Sequence, residues 1–228
     1  MTHSIANNKL AYVAKAFGLL LLSVFLTQVL WSNISFTELA KVSRPNSALA
    51  LMQLGASHFS TLALSHMVFI ISLFLFRSKY EFVINQLLVF TLGYMITLWL
   101  NMFNVVKPSS YIVYSLVPLT TIYICGENLF NYKLKNSRLI IVGICGLVHG
   151  LAMAAALRQT TILPRKEFAK SLLMYNIGVE LAIICLAIPA FLVLLKLIGN
   201  RSYAKPFYKL TSIALIIFSL YWAVYRMF

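Results

Sequence analysis

The chain is 228 residues long, 61% hydrophobic and only 11% charged, with a mean hydropathy of +0.87, far outside the composition of soluble domains. Nineteen Lys and Arg face five Glu and no Asp, for a net charge of +14, yet the basic residues lie mostly in short stretches between apolar runs of membrane-spanning length. That distribution is a topology and headgroup signal and discounts nucleic-acid binding; Cys125, Cys145 and Cys185 fall inside apolar runs and read as free thiols, not as a secreted disulfide framework.

Taken in order, the apolar runs cover residues 10–32, 51–76, 83–104, 109–131, 139–157, 169–198 and 207–226, each close to the roughly 20 residues that a helix needs to cross a bilayer. The first run ends in Trp31-Ser32-Asn33 with no small-x-small cleavage site, so it is expected to be an uncleaved helix and not a signal peptide. Residues 33–50 form a polar, amphipathic exterior connection. Arg77-Ser78-Lys79, Lys107-Pro108, Lys133 to Arg138, Leu163-Pro164-Arg165-Lys166 and Gly199-Asn200-Arg201 with Pro206 punctuate the rest. No alternating barrel strands appear, so the expected fold is an all-α polytopic transmembrane bundle of about seven spans. Residues 1–50 hold the first helix and its connection, and 51–228 a six-helix transmembrane domain. Eleven Lys and Arg on the side of the amino terminus against eight on the other favour a cytoplasmic amino terminus.

Ionisable groups inside these runs demand a reason, because a charge at the bilayer centre costs roughly 2.5 to 3.5 kcal/mol even on the most lenient scale. On the second run, His58 and His66 lie about 12 Å apart along a helix and about 80° around it, with Ser65 closer to the face of His58. The third carries Thr91, Tyr94, Thr97, Asn101 and Asn104 as one polar stripe, either a hydrated face or an extended packing seam. Glu127 and Asn128 fall near the end of the fourth; Glu127 either snorkels, pairs with Lys133 or serves function. The fifth stacks Cys145, His149 and Met153 at four-residue steps, ligand types suited to Ni, Co, Cu or Zn. Gly146, Gly150 and Ala154 form a small-residue ridge for close helix packing. The bland alternative treats Cys145 and Met153 as filler in a helix crossing. On the sixth, Asn176 and Glu180 share a face. The short connection makes the fifth and sixth spans expected antiparallel neighbours, with His149 and Glu180 at similar depth. Such a pair is either a functional site or a polar lock between helices.

The pattern GLVHGLAMA at 146–154, the LP at 163–164 and YNIGVEL at 175–181 resemble the HupE/UreJ family of bacterial membrane proteins. In that family a Gly-Leu-x-His-Gly helix precedes a Phe-Asn-x-Gly-Val-Glu-Leu helix. Phe90-Thr91-Leu92-Gly93-Tyr94 with Thr97-Leu98, Glu127-Asn128-Leu129, and Gly55-Ala56-Ser57-His58 with Ser65-His66 and Phe69 are similar to its other helices. The resemblance spans roughly residues 50–195. Two departures stand out: Ser65 replaces the Asp that usually precedes the second histidine, with the His58 to His66 spacing one residue longer, and Tyr94 replaces a His.

The resemblance implies nickel or cobalt permeases of the bacterial inner membrane, often associated with hydrogenase or urease systems. On that reading His66, His149 and Glu180 form a midplane metal site, His58 lies at the exterior approach and Glu127 at the cytoplasmic exit. Asn128, Asn176, Thr91, Tyr94, Thr97 and Ser65 line the path or stand behind it. The chain is then no enzyme and has no resident cofactor; nickel or cobalt is cargo, and its partners are the bilayer, the ion and a membrane protein or second copy. The alternative is a non-transporting assembly subunit that keeps the fold. An intramembrane hydrolase is disfavoured, since the adjacent Ser65 and His66 would point about 100° apart on a helix.

Overall fold

A computed structural model describes residues 47–61, 64–75, 80–130, 135–160, 167–197 and 204–227. Among these residues every regular element is an α-helix: α1 (Ala48–Thr61), α2 (Leu64–Phe74), α3 (Tyr80–Met102), α4 (Ser110–Phe130), α5 (Lys135–Thr160), α6 (Phe168–Leu197) and α7 (Ala204–Met227). Helices are what apolar sequence must form in lipid, where each backbone N–H and C=O needs a partner within its own segment. Five of them, α3 to α7, contain stretches long and apolar enough to cross a membrane, so the chain is an all-helical, multi-pass membrane bundle. The expected first span, 10–32, and most of the connection after it lie outside the described residues.

The helix ends follow local chemistry. Ser47 caps α1 by accepting the Ala50 N–H at 3.2 Å on its hydroxyl. After α3, Asn104 takes the left-handed conformation (φ 65°). Its N–H then bonds the Asn101 carbonyl, and that of Val105 bonds the Leu100 carbonyl, both at 2.9 Å. This is the Schellman arrangement, with Asn in the place where Gly is commonest.

The run 51–76, expected as one span, is two helices. α1 packs along α6, whereas α2 packs chiefly on α4 and also meets α1, α3, α6 and α7. Hydroxyl and imidazole residues crowd the boundary, from Ser57 to Thr61 and again at Ser65-His66, and the Ser57 hydroxyl turns back onto the Leu54 carbonyl at 2.9 Å. Such side chains compete with the helical ladder and re-satisfy backbone groups where a membrane helix is broken. Every described side chain of α2 is buried, Ser65, His66 and Ser72 among a run that is otherwise apolar, and hydropathy merges it with α1.

The expected pairing of α5 with α6 is also corrected. α5 packs principally on α3, and α6 on α1, while α7 packs on α4. α3 and α5 run parallel: Gly146 sits against the Phe90 carbonyl, and Gly150 one turn later against the Tyr94 carbonyl and the Thr97 hydroxyl. A methyl group at either glycine would collide with α3, and small residues at such a crossing are what let two membrane helices approach. α1 and α6 meet in the same manner through Gly55 and Gly178. The glycine ridge therefore selects α3, not the sequence neighbour. Around these crossings a continuous core forms from Phe69, Ile70, Leu73, Phe90, Leu98, Ile124, Val142, Leu172 and Val179.

Candidate functional site

His149 is the centre of the bundle. It is 0% exposed, and its ring lies 4.6 Å from that of Phe69, 5.3 Å from that of Phe90, and 4.4 Å from His66 in an edge-on arrangement of 87°. α5 supplies His149, α2 supplies His66 and Phe69, and α3 supplies Phe90, held close by the Gly146 crossing. The fourth wall is α4. There the Thr120 hydroxyl donates to the Val117 carbonyl at 2.6 Å and lies 2.9 Å from His149 Nε2. With its own hydrogen committed to Val117, Thr120 accepts from His149, so Nε2 carries the ring proton. The lone pair of His149 is then on Nδ1, which is buried and has no hydrogen-bond partner among the described residues.

His66 is fixed in the same tautomer, because its Nε2 lies 3.3 Å from the His149 carbonyl, which only accepts. Both imidazoles thus carry their lone pairs on Nδ1 at the middle of an aromatic cage. A neutral imidazole nitrogen oriented by a hydrogen bond from its opposite nitrogen is the form in which histidine binds metals. The sequence reading missed Thr120, whose only signal is a hydroxyl two residues after Pro118 in a buried part of α4.

Glu180 does not join this pair, contrary to expectation. α3 stands between: the Thr91 hydroxyl donates to Glu180 Oε2 at 3.2 Å, and the Tyr94 hydroxyl to Asn176 Oδ1 at 3.3 Å. Glu180 Oε1 and the Asn176 amide nitrogen are buried with no hydrogen-bond partner among the described residues. The rest of the α3 stripe turns to α5. Thr97 donates to the Leu147 carbonyl at 2.7 Å. Arg158 donates to Asn101 Oδ1 at 2.9 Å and to Asn104 Oδ1 at 2.8 Å, and also reaches the Asn101 carbonyl. Of the two readings of that stripe, the packing seam is the one observed.

Glu127 does not snorkel. It is buried and bonded to Arg138 at 2.8 Å. Arg138, expected in a basic loop, lies on α5 and is 1% exposed. Its remaining donors reach Gln86 Oε1 at 2.7 Å and Asn128 Oδ1 at 3.0 Å, while Asn128 donates to the Ser72 carbonyl at 2.8 Å. One guanidinium therefore ties α3, α4 and α5 together, and Asn128 extends the tie to α2. A planar fork of five donors suits this role as no ammonium would.

His58 falls on α1, but its side chain lies outside the described residues. Ser65 is buried beside His66, and Cys145 and Met153 are buried on α5. Among the described residues no three His, Cys, Asp or Glu side chains are grouped closely enough to hold a metal ion; the imidazole pair supplies two.

A family model described as HupE / UreJ protein matches residues 33–226. No curated protein matches the chain, and no solved structure does. The matched region takes in all seven described helices, including the glycine crossing of α3 with α5 and the buried histidine pair, and the chain belongs to the HupE/UreJ family.

Proposed function

We propose that this protein carries a divalent transition-metal ion, nickel or cobalt, across the bacterial inner membrane, with the His66–His149 pair as the station inside the bundle. The observation that carries this reading is His149 Nδ1, buried with no hydrogen-bond partner among the described residues, on a ring whose Nε2 lies 2.9 Å from the Thr120 hydroxyl. Two imidazoles suit borderline metals over magnesium or calcium. Two protein ligands, completed by water, make a weak site, and a carrier needs one, since the ion must leave again. The ion is substrate, not a resident cofactor, and the chain performs no covalent chemistry.

In a metal-depleted host, expression of the wild type is expected to raise cellular nickel or cobalt, and His149→Ala to abolish the increase. Equal accumulation by the variant would remove the imidazole pair from the path.

A second reading is a membrane assembly subunit that moves no ion. It is favoured by the satisfaction of the α3 stripe within the protein, through Thr97, Asn101 and Asn104. Copurification with a specific membrane partner, together with no ion flux in proteoliposomes, would support it over the carrier.

A further inference from the structure

The bundle holds two carboxylates, Glu127 buried and Glu180 half-buried with its Oε1 enclosed, and treats them in opposite ways. Glu127 has a guanidinium at 2.8 Å, so its charge is matched permanently. Glu180 has a hydroxyl, Thr91, on one oxygen and no hydrogen-bond partner among the described residues on the other. Among the described residues, the helices packed against α6 offer it no cation. α3 brings Thr91 and Tyr94; the described side chains of α1, from Ala48 to Ser57, include no titratable group; α2 brings only His66, whose Nε2–H is engaged with the His149 carbonyl. On α6 itself Tyr175 lies five residues earlier in the chain, and Lys170, ten residues earlier, pairs with Glu167 at 3.1 Å on the exposed surface.

A carboxylate whose enclosed oxygen has neither donor nor cation beside it among the described residues is costly to hold ionised inside a membrane bundle, and a proton or a bound cation relieves that cost. A metal ion is poorly served here. The Asn176 amide oxygen already accepts from Tyr94, the Thr91 hydroxyl already donates to Glu180, and the unpartnered atom of Asn176 is its NH2, a donor that repels a cation. The cation that fits is the proton.

We propose that Glu180 is a proton-exchange site, protonated in one state of the carrier and ionised in another, which links cation movement to protons. Loading forms one O–H bond with a proton from water at one membrane face, and release returns that proton to water at the other; nothing is oxidised or reduced. The link to the imidazole pair is α3. Its consecutive residues Phe90 and Thr91 touch the His149 ring and the Glu180 carboxyl respectively, so a shift of α3 at one site is felt at the other.

This inference rests on the carrier reading, and the test separates the two. Purified protein in liposomes loaded with a pH-sensitive dye is given nickel ion on one side. Wild type is expected to move protons with nickel and to accumulate nickel under an imposed pH gradient. Glu180→Gln should reduce proton movement to that of protein-free vesicles, and Glu180→Asp should restore it. Nickel flux without proton movement in wild type, or proton movement retained in Glu180→Gln, would overturn the proposal. Infrared spectra decide on Glu180 itself even if wild type passes no nickel, which would sink the carrier reading alone. A protonated-carboxyl band in wild type at neutral pH, missing in Glu180→Gln, supports the proton site; no such band in wild type refutes it.

Discussion

Arg138 and Glu127 form an ion pair that cannot be halved safely. Removing one partner of a buried pair leaves an uncompensated charge and typically costs about 3 to 5 kcal/mol, whereas replacing both with apolar side chains is often neutral. Arg138→Ala is therefore expected to lose stability on that scale, and the double variant Arg138→Met with Glu127→Leu to recover most of it, by reversible unfolding in detergent. Thr120 has a different role. An interhelical hydrogen bond in a membrane protein is worth about 0.6 kcal/mol on average, so Thr120→Val should unfold almost as wild type does. Freeing the His149 ring should nevertheless weaken nickel binding by about 10- to 100-fold, the usual cost of losing a group that orients a ligand, as a titration of the purified protein would show. Neither partnership was legible in the sequence. An arginine at the edge of an apolar run fits a headgroup contact as well as a buried one, and Thr120 lies 29 residues from His149, joined to it only by the fold.

At the scale of elements, hydropathy located α3 to α7 to within a few residues, because crossing lipid imposes length and apolarity together. It could not say which helices touch. That is decided by small residues that permit close approach, and here they bring α3 to α5 although α4 intervenes in sequence. The glycines give a sharp comparison. A methyl on Gly146 meets the Phe90 backbone, while one on Gly126 of α4 meets nothing within 4 Å. Gly146→Ala is expected to destabilise the bundle by about 1 to 3 kcal/mol, the usual penalty of overpacking, and Gly126→Ala to be neutral or slightly stabilising. Equal behaviour of the two variants in thermal unfolding would mean that the α3–α5 crossing is looser than described. The break between α1 and α2 had a signal in retrospect, the cluster of Ser, Thr and His at its boundary, which an averaged hydropathy window dilutes with the surrounding Leu, Phe and Ile.

For the whole molecule, the directions of the helices fix which ends share a face. α3 runs antiparallel to α6, since Thr91 meets Glu180 and Tyr94 meets Asn176; Phe103 accordingly stacks edge-on with Phe168 at 5.6 Å, joining the end of α3 to the start of α6. Lys107, just past α3, and Lys205, at the start of α7, are exposed and so belong to opposite faces. Orientation in the membrane rests on basic residues, and Arg138 does not count toward it, being buried in an ion pair. Ten Lys and Arg then stand against eight, a thinner margin that still favours a cytoplasmic amino terminus by the positive-inside rule. In a Cys185→Ser background, with Cys125 and Cys145 buried, Lys107→Cys should react with an impermeant thiol reagent in intact cells, and Lys205→Cys only after permeabilisation. The reverse pattern would keep the bundle and invert it. Labelling of both from one side would contradict the antiparallel course of α3 and α6, and with it the placement of Glu180 against Thr91 on which the proton site depends.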